Sequence, residues 1–325
     1  MPAAAAAQAQ LRNVHSPDIT LRGTQMLAKL LRRMLFAQFL MSAGVGYLLA
    51  GAADWPGWTI GVCAVFIPLL GGVALSIATV VKSRAPGEPS AMWWRSSVGE
   101  IAAGVQVFML RQPWASSPPV FLAATASTAK VPVLLVHGYV CNHRIWDDTI
   151  AALRANGHPV LAVDLEPLFT SIDAYAPRIE AAVSELCRQT GATQVALIGH
   201  SMGGLAIRAW MRACGTQRVA RVLTLGTPHA GTQIAPNAQT ANGQQMNWRS
   251  PWLAELAGAE SDAARALMRI ALTPQDNIVY PQREQVLPGV DVTVFEGIGH
   301  LQMCLNQPVI NWVLGQLSDL APTHS

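Results

Sequence analysis

Two long apolar stretches begin the hydrophobic pattern of this chain. No charged residue occurs between Met34 and Ala53, or between Trp58 and Val81. Each stretch has about the 20 residues that a helix needs to cross a hydrocarbon core of roughly 30 Å. Only Asp54–Gly57 separates them, so the two predicted helices must run antiparallel. We therefore predict a transmembrane hairpin over residues 34–81, after a mobile N-terminal tail of residues 1–33.

The hairpin has two competing interpretations. A cleavable signal peptide has an apolar region of about 7–15 residues, which is shorter than the first stretch. The other alternative is a buried helical pair inside a soluble protein. Small residues recur at every fourth position of the first stretch and favour a hairpin with close helix contact: Ser42, Gly46 and Ala50.

Flanking charge predicts how the hairpin is oriented. Basic residues precede the first stretch and follow the second, whereas the turn carries only Asp54. The positive-inside rule then places both ends, and all of the chain after residue 81, in the cytoplasm. We expect the chain at a membrane, the cytoplasmic membrane if the source is bacterial. The basic residues are Arg22, Lys29, Arg32, Arg33, Lys82, Arg84 and Arg95.

Residues 82–130 form a predicted connector. Its centre, Ser97 to Arg111, has a helical pattern, and Trp93, Trp94 and Trp114 flank it. Tryptophans beside a membrane often lie at the level of the lipid headgroups. Packing against the following domain is the alternative.

From residue 131 onward the pattern changes to short β-branched runs that alternate with helical stretches. This alternation predicts an α/β domain over residues 131–325, with a mostly parallel sheet and crossover helices. The predicted strands are Val131–Val136, Val160–Asp164, Gln194–Gly199, Val219–Leu225, Met268–Leu272 and Val290–Phe295. The predicted helices are Trp146–Ala155, Ala174–Thr190, Met202–Cys214 and Asn306–Leu317.

Composition agrees with a chain that lies partly in lipid. The sequence is 51% hydrophobic and 13% charged, against about 25% charged in an ordinary soluble domain. A net charge of +3 without a Lys/Arg tract argues against a nucleic-acid partner. The five cysteines are scattered and form no pattern typical of a disulfide framework or a metal site. The pattern does not predict an oligomeric state.

The strongest chemical signal is Gly199-His200-Ser201-Met202-Gly203-Gly204, between a predicted strand and a predicted helix. A sharp strand-to-helix turn exposes a serine hydroxyl, and small residues two positions before and after it let the turn close. The helix directs its positive N-terminal end at developing negative charge. We therefore predict that Ser201 is a nucleophile, supported by Gly199 and Gly203.

A second signal, His137-Gly138-Tyr139, directly follows the first strand of this domain. In hydrolases with such an elbow, the loop after that strand supplies one oxyanion N–H, and the residue after the nucleophile supplies the other. We assign these donors to the backbones of Tyr139 and Met202. The position of His137 favours a structural role beside the loop, together with Gly138.

The acid and the base are expected after the nucleophile. Asp276 follows one late strand and His300 follows another, in the chain order that such hydrolases use. His300 would take the proton from Ser201, and Asp276 would orient the imidazole and stabilise its charged form. Asp164 precedes the nucleophile, and His200 within the elbow is expected to point away from the reacting face. The other competitors are assigned to loops and strand ends: His143, His229, Asp291 and Glu296.

From residue 131 to its end the chain resembles α/β-hydrolase lipases and esterases, including small bacterial lipases and the deacylases related to them. The matching motifs are PVLLVHGY (132–139), GHSMGG (199–204), LGTPHAGT (225–232), DNIV (276–279) and GIGH (297–300). The resemblance implies an α/β-hydrolase fold, ester hydrolysis by the triad above, and no cofactor. Some relatives hold a structural calcium ion. No matching carboxylate cluster lies near His300 in the sequence, so we predict no metal.

A segment at about residues 233–271 is inserted before the acid and is predicted to be a lid-like cap. Its second half carries Trp248, Trp252, Leu253 and Leu256. Beside a membrane anchor, these apolar residues favour a lipid-like acyl ester as substrate. The alternative is that the segment only packs over the sheet.

The leading hypothesis is thus a membrane-anchored lipase or esterase that forms an acyl-enzyme. An acyltransferase or thioesterase would use the same triad, so residues do not separate it from the leading hypothesis. A membrane-bound binding module without activity is an alternative of another class, against which the complete triad argues.

Overall fold

An antiparallel helical hairpin begins the described part of the chain. The computed structural model describes residues 25–115, 120–126 and 130–323. Most of the predicted tail, residues 1–24, lies outside the described residues. Helix α1 spans Met26–Ala53 and helix α2 spans Trp58–Ser83. The helical part therefore begins before the charge-free stretch, because lysine, arginine and leucine at its start are good helix formers.

The hairpin helices touch along the predicted small-residue face. Ser42, Gly46 and Ala50 are buried, and a Cβ at Gly46 would lie only 2.7 Å from Cβ of Cys63. Both helices are long and apolar enough to cross a membrane, with mean hydropathies of 1.5 and 2.4. Only 11% and 6% of their most apolar segments are buried by the protein. A helical pair buried in a soluble core would show far more burial.

Six parallel strands form one sheet in the order β2-β1-β3-β4-β5-β6. Leu134 of strand β1, the second strand from one edge, lies beside Leu161 of β2 and Leu197 of β3. Strand β1 is buried along its whole length, as expected for a parallel sheet covered on both faces. The strands are β1 Val133–Val136, β2 Val160–Val163, β3 Val195–His200, β4 Val219–Leu225, β5 Met268–Leu272 and β6 Asp291–Val294.

Helices cover both faces of this sheet. Apolar side chains of α5 and α6 pack on one face, and those of α4 and α10 pack on the other. The predicted α/β-hydrolase fold class is thus confirmed, and the bounds of most predicted strands and helices differ from the observed ones by one or two residues. The remaining helices are α3 Ser90–Val105, α4 Asp147–Ala155, α5 Ala176–Thr190, α6 Met202–Cys214, α7 Ala241–Gln245, α8 Pro251–Gly258, α9 Asp262–Ala266 and α10 Gln307–Leu317.

The connector is helical and partly merged with the domain. Helix α3 continues as a π-helical segment, Gln106–Arg111, and a 3-10 turn, Gln112–Trp114. Trp93 is buried at 2% exposure, whereas Trp94 and Trp114 are 62% and 56% exposed. Trp93 therefore packs inside the protein, whereas the side chains of Trp94 and Trp114 are exposed.

Candidate active site

The predicted nucleophile lies at a strained turn between β3 and α6. Ser201 has φ 53° and ψ −129°, a backbone conformation that non-glycine residues rarely adopt and that persists where the surroundings enforce it. A Cβ at Gly199 would lie 2.5 Å from the backbone N of Gly204, and one at Gly203 would overlap the carbonyl oxygen of Val136. Glycine at position 199 lets the elbow turn tightly on itself, and glycine at position 203 lets it approach β1. Ser201 itself is only 6% exposed.

Two other predicted residues meet in the loops after β5 and β6. Nδ1 of His300 lies 2.8 Å from Oδ2 of Asp276. The other carboxylate oxygen of Asp276 accepts the backbone N–H groups of Ile278 at 2.9 Å and Val279 at 2.7 Å. Asp276 is therefore fixed on both sides. In the neutral tautomer that donates its Nδ1–H to this carboxylate, Nε2 of His300 carries no proton.

The pKa of His300 is raised above its ordinary value. Burial of the ring lowers this pKa. The charge and hydrogen bond of Asp276 and the charge of Glu100 raise it, and together they outweigh the effect of burial. The imidazolium form is thus stabilised. This is the form that a base must adopt transiently when it takes a proton from serine.

The loop after β1 approaches the elbow closely. A Cβ at Gly138 would lie 2.8 Å from Cβ of Ser201 and 3.2 Å from the carbonyl oxygen of His200. Nδ1 of His137 lies 2.8 Å from the carbonyl oxygen of Gly138, and its Nε2 accepts the N–H of Leu165 at 2.9 Å. Both ring nitrogens are occupied, and burial lowers the pKa of His137. These contacts agree with a neutral, structural histidine beside the loop.

A small cleft lies beside this elbow. Gly138, Tyr139 and Met202 all line it, so the two proposed oxyanion donors belong to residues that share one cavity. The remaining wall is mainly apolar and includes Val140, Cys141, Leu165, Leu168, Phe169 and Tyr175.

Backbone strain is concentrated around the cleft. Val140 and Phe169 line it and have φ values of 52° and 67°. A β-branched or bulky residue at positive φ is a true outlier. Together with Ser201, these residues put three strained positions at one site, which is typical of functional loops.

The segment predicted as an insertion, residues 233–271, contains three short helices, α7 to α9. Its apolar half does not form the cleft, because Leu253 and Leu256 are buried at 4% and 0% exposure in the core beside α6. The segment contributes Asn242 to the cleft instead. The amide of Asn242 lies 3.7 Å from Sδ of Met202. The two leucines of this segment therefore pack in the core, as the alternative to a lid predicts.

Both ends of the hairpin stand on the rim of the site. The backbone N–H of Met26, at the start of α1, donates to Oε1 of Glu166 at 2.6 Å, and Glu166 follows the leucine that lines the cleft. At the end of α2, Oγ1 of Thr79 accepts from Asn277 at 3.1 Å. The amide of Gln282 joins the carbonyl oxygen of Ser83 to that of Asp276, at 3.0 and 2.8 Å.

The competing residues have structural partners. Nδ1 of His143 lies 3.0 Å from Asp164, and His229 lies between Arg208 and Thr224. Burial, followed by the charge of Arg208, holds the pKa of His229 well below its usual range. Asp291 and Glu296 are exposed. Among the described residues, no three His, Cys, Asp or Glu side chains are grouped as a metal site requires.

Two residues near His300 were missed or placed differently by sequence reasoning. The ring of His200 packs 4.6 Å from the ring of His300, and its Nε2 lies 3.1 Å from the carbonyl oxygen of His300. His200 is thus a buried neighbour of His300, and burial together with the charge of His300 holds the pKa of His200 well below its usual value. Glu100 of α3 also reaches this loop, and no motif in the sequence marks it.

This combination of elbow, acid–histidine pair and parallel sheet can be compared with known proteins. The sequence profile of the alpha/beta hydrolase family matches residues 133–302, more than half of the chain. The chain belongs to the alpha/beta hydrolase family. Helices α1 to α3 lie outside the matched residues.

Similar sequences include triacylglycerol lipases. One from Burkholderia plantarii is 35% identical over 46% of this chain and 42% of its own length. One from Pseudarthrobacter phenanthrenivorans is 37% identical over 36% of this chain and 39% of its own length. The chain thus spans about two fifths of the length of these relatives.

Similar solved structures show the same fold at low sequence identity. The mature Bacillus licheniformis lipase BlEst2 has a TM-score of 0.52 at 17% identity, covering 61% of this chain and 97% of that one. Aspergillus fumigatus lipase B has a TM-score of 0.51, also at 17% identity, covering 62% and 57%.

Proposed function

We propose that this chain is a membrane-anchored serine hydrolase that cleaves carboxylic esters, with lipid-like acyl esters as substrates. The observation that carries the proposal is the pair of His300 and Asp276, 2.8 Å apart, beside a strained serine elbow and an apolar cleft. Similarity to triacylglycerol lipases supports an ester as the substrate.

In the proposed mechanism, Nε2 of His300 takes the proton of Ser201 while the serine oxygen attacks the ester carbonyl. The backbone N–H groups of Tyr139 and Met202 receive the oxyanion, where preorganised donors have their largest effect. His300 then gives its proton to the leaving alcohol, and an acyl-enzyme remains. Water repeats the same steps and releases the acid, with Asp276 stabilising the imidazolium in both halves.

The lipid-like substrate follows from the surroundings of the cleft. Its wall includes Leu165, Leu168 and Phe169, which suit an acyl chain. The ends of the hairpin contact the loops at this same rim, through Glu166 and Asn277. If α1 and α2 span the bilayer, the mouth of the site lies close to the membrane surface. An ester in that surface would reach Ser201 over a short path.

A series of p-nitrophenyl esters of rising chain length tests the substrate class. We expect kcat/KM to rise from acetate to octanoate and longer chains, and Phe169→Ala to reduce it more for the long esters than for acetate. Val292→Ala, which shortens an apolar side chain of similar exposure on β6 (37% against 41%), is the matched control. A sharp preference for acetate or butyrate would contradict a lipid-like substrate.

A further inference from the structure

Helix α3 brings a buried carboxylate to the loop that carries His300. Glu100 is only 6% exposed. Its oxygens accept the backbone N–H of Leu301 at 2.9 and 3.0 Å and that of Gln302 at 3.3 Å. These donors begin the 3-10 turn Leu301–Cys304 directly after His300. Buried N–H groups at the start of such a turn need an acceptor, and a side chain from outside the matched hydrolase region supplies it.

The packing around this contact leaves little freedom. A Cβ at Gly299 would lie 2.5 Å from Oε2 of Glu100, and a Cβ at Gly99 would overlap the amide of Gln302. Oε1 of Gln302 in turn accepts the N–H of Gly299 at 2.7 Å. Helix α3 and residues 299–302 therefore interlock on both sides of His300. Moving Glu100 would move the loop that holds the imidazole.

The charge of Glu100 also acts on the imidazole. Burial raises the pKa of Glu100 to about 7, although the N–H bonds of Leu301 and the charge of His300 oppose this. The other ionisable groups that face Glu100 are Asp276, Cys141 and Cys304. Burial raises the pKa of both thiols, that of Cys141 to about 12, so they stay neutral. Above about pH 7, where Glu100 is mostly ionised, its carboxylate adds a second negative charge beside His300 to that of Asp276.

We propose that Glu100 is a positioning residue for His300, which fixes the loop after β6 and stabilises the imidazolium that forms during ester cleavage. This role rests on the proposed function, since it requires His300 to act as a base. With this role, α3 contributes a residue to the proposed active site, although α3 precedes the region that matches the hydrolase family. The connector is then more than a spacer between the hairpin and the domain.

The test compares Glu100→Gln and Glu100→Asp with the wild-type full-length protein in detergent, using a p-nitrophenyl ester. Gln keeps the size and one acceptor oxygen but removes the charge. We expect kcat to fall about tenfold with little change in KM. We also expect the acidic limb of the kcat/KM profile to move to lower pH, because His300 loses the field of Glu100. Asp keeps a charge but shortens the side chain, so its rate and limb should lie between those of the wild type and Gln.

Glu180→Gln is the matched control, because Glu180 on α5 also accepts side-chain hydrogen bonds, from Arg218 and Trp210. It should leave the pH profile unchanged. The proposal is wrong if the acidic limb of the kcat/KM profile lies at the wild-type pH in both Glu100 variants. A fall in melting temperature without a shift of this limb would indicate a structural role alone. If Glu100→Gln does not fold, Glu100→Asp decides in the same way. Activity that persists in Ser201→Ala would instead mean that the proposed function is wrong.

Discussion

The hydrogen bond between His300 and Asp276 is the contact on which the proposed chemistry depends most. Asp276→Asn keeps the shape of the side chain but removes the charge and can reverse the tautomer of the imidazole. We expect kcat to fall by about 10³-fold or more, as such changes do in other triads. Steady-state hydrolysis of a p-nitrophenyl ester measures it. Asp291→Asn, an exposed carboxylate at the start of β6, is the control and should retain wild-type rates.

The raised pKa of His300 predicts the pH dependence. A base must be unprotonated in the free enzyme, so kcat/KM should increase with pH and level off above the pKa of His300. Because Asp276 and Glu100 raise that pKa despite burial, the midpoint should lie above the ordinary 6.5. The same raised value contributes stability to the folded state at low pH, and this contribution is lost as the pH rises through it. A midpoint below 6.5 would contradict the assigned partners.

At the scale of residues, the positions of some side chains in the fold could be inferred from the sequence, and those of others could not. Ser201, Asp276 and His300 each follow a strand, and the carboxyl ends of parallel strands share one edge, so their positions could be inferred from the strand pattern alone. Glu100 could not, because its contact depends on how α3 docks. The nearness of His200 to His300 depends in the same way on how a loop from β6 folds back over the elbow.

Among the elements, the hairpin offers the clearest packing prediction. Gly46 approaches Cys63 and Ile60 so closely that a Cβ would force the helices apart, whereas a Cβ at Gly44 would have no neighbour within 4 Å. We expect Gly46→Val to reduce the amount of folded protein in membranes and its melting temperature in detergent. Gly44→Val should behave like the wild type. Equal behaviour of the two variants would contradict the packing of α1 against α2.

Element bounds followed from the sequence wherever burial and propensity agreed. Helix α6 and strands β4 and β5 have the predicted bounds, because apolar periodicity and a following loop mark their ends. The connector was less predictable, since its change from α-helix to π-helix and 3-10 turn comes from packing against the domain. The cap was predicted as an insertion, but the burial of its leucines depends on contacts with α6.

For the whole molecule, the central structural prediction is that α1 and α2 anchor the hydrolase domain in a bilayer. We expect the full-length protein to remain in the membrane pellet after alkaline carbonate extraction. We expect protease to digest the domain only in vesicles whose cytoplasmic face is outside. Release by carbonate would contradict the anchor, and protection in those vesicles would contradict the orientation.

The overall arrangement was only partly predictable. The two apolar stretches are enough to predict a helical hairpin, and the alternating α/β pattern is enough to predict a sheet, because both patterns are local in the sequence. The contacts of Met26 with Glu166 and of Thr79 with Asn277 join segments far apart in sequence, and no local pattern encodes them. These contacts put the hairpin at the rim of the site.

The most direct test of the central claim is labelling of membranes that contain the full-length protein with a fluorophosphonate probe, followed by identification of the modified peptide. Our account predicts one adduct on Ser201, loss of that adduct in Ser201→Ala, and slower labelling in Asp276→Asn. No labelling of the folded wild-type protein, or labelling that persists in Ser201→Ala, would contradict it.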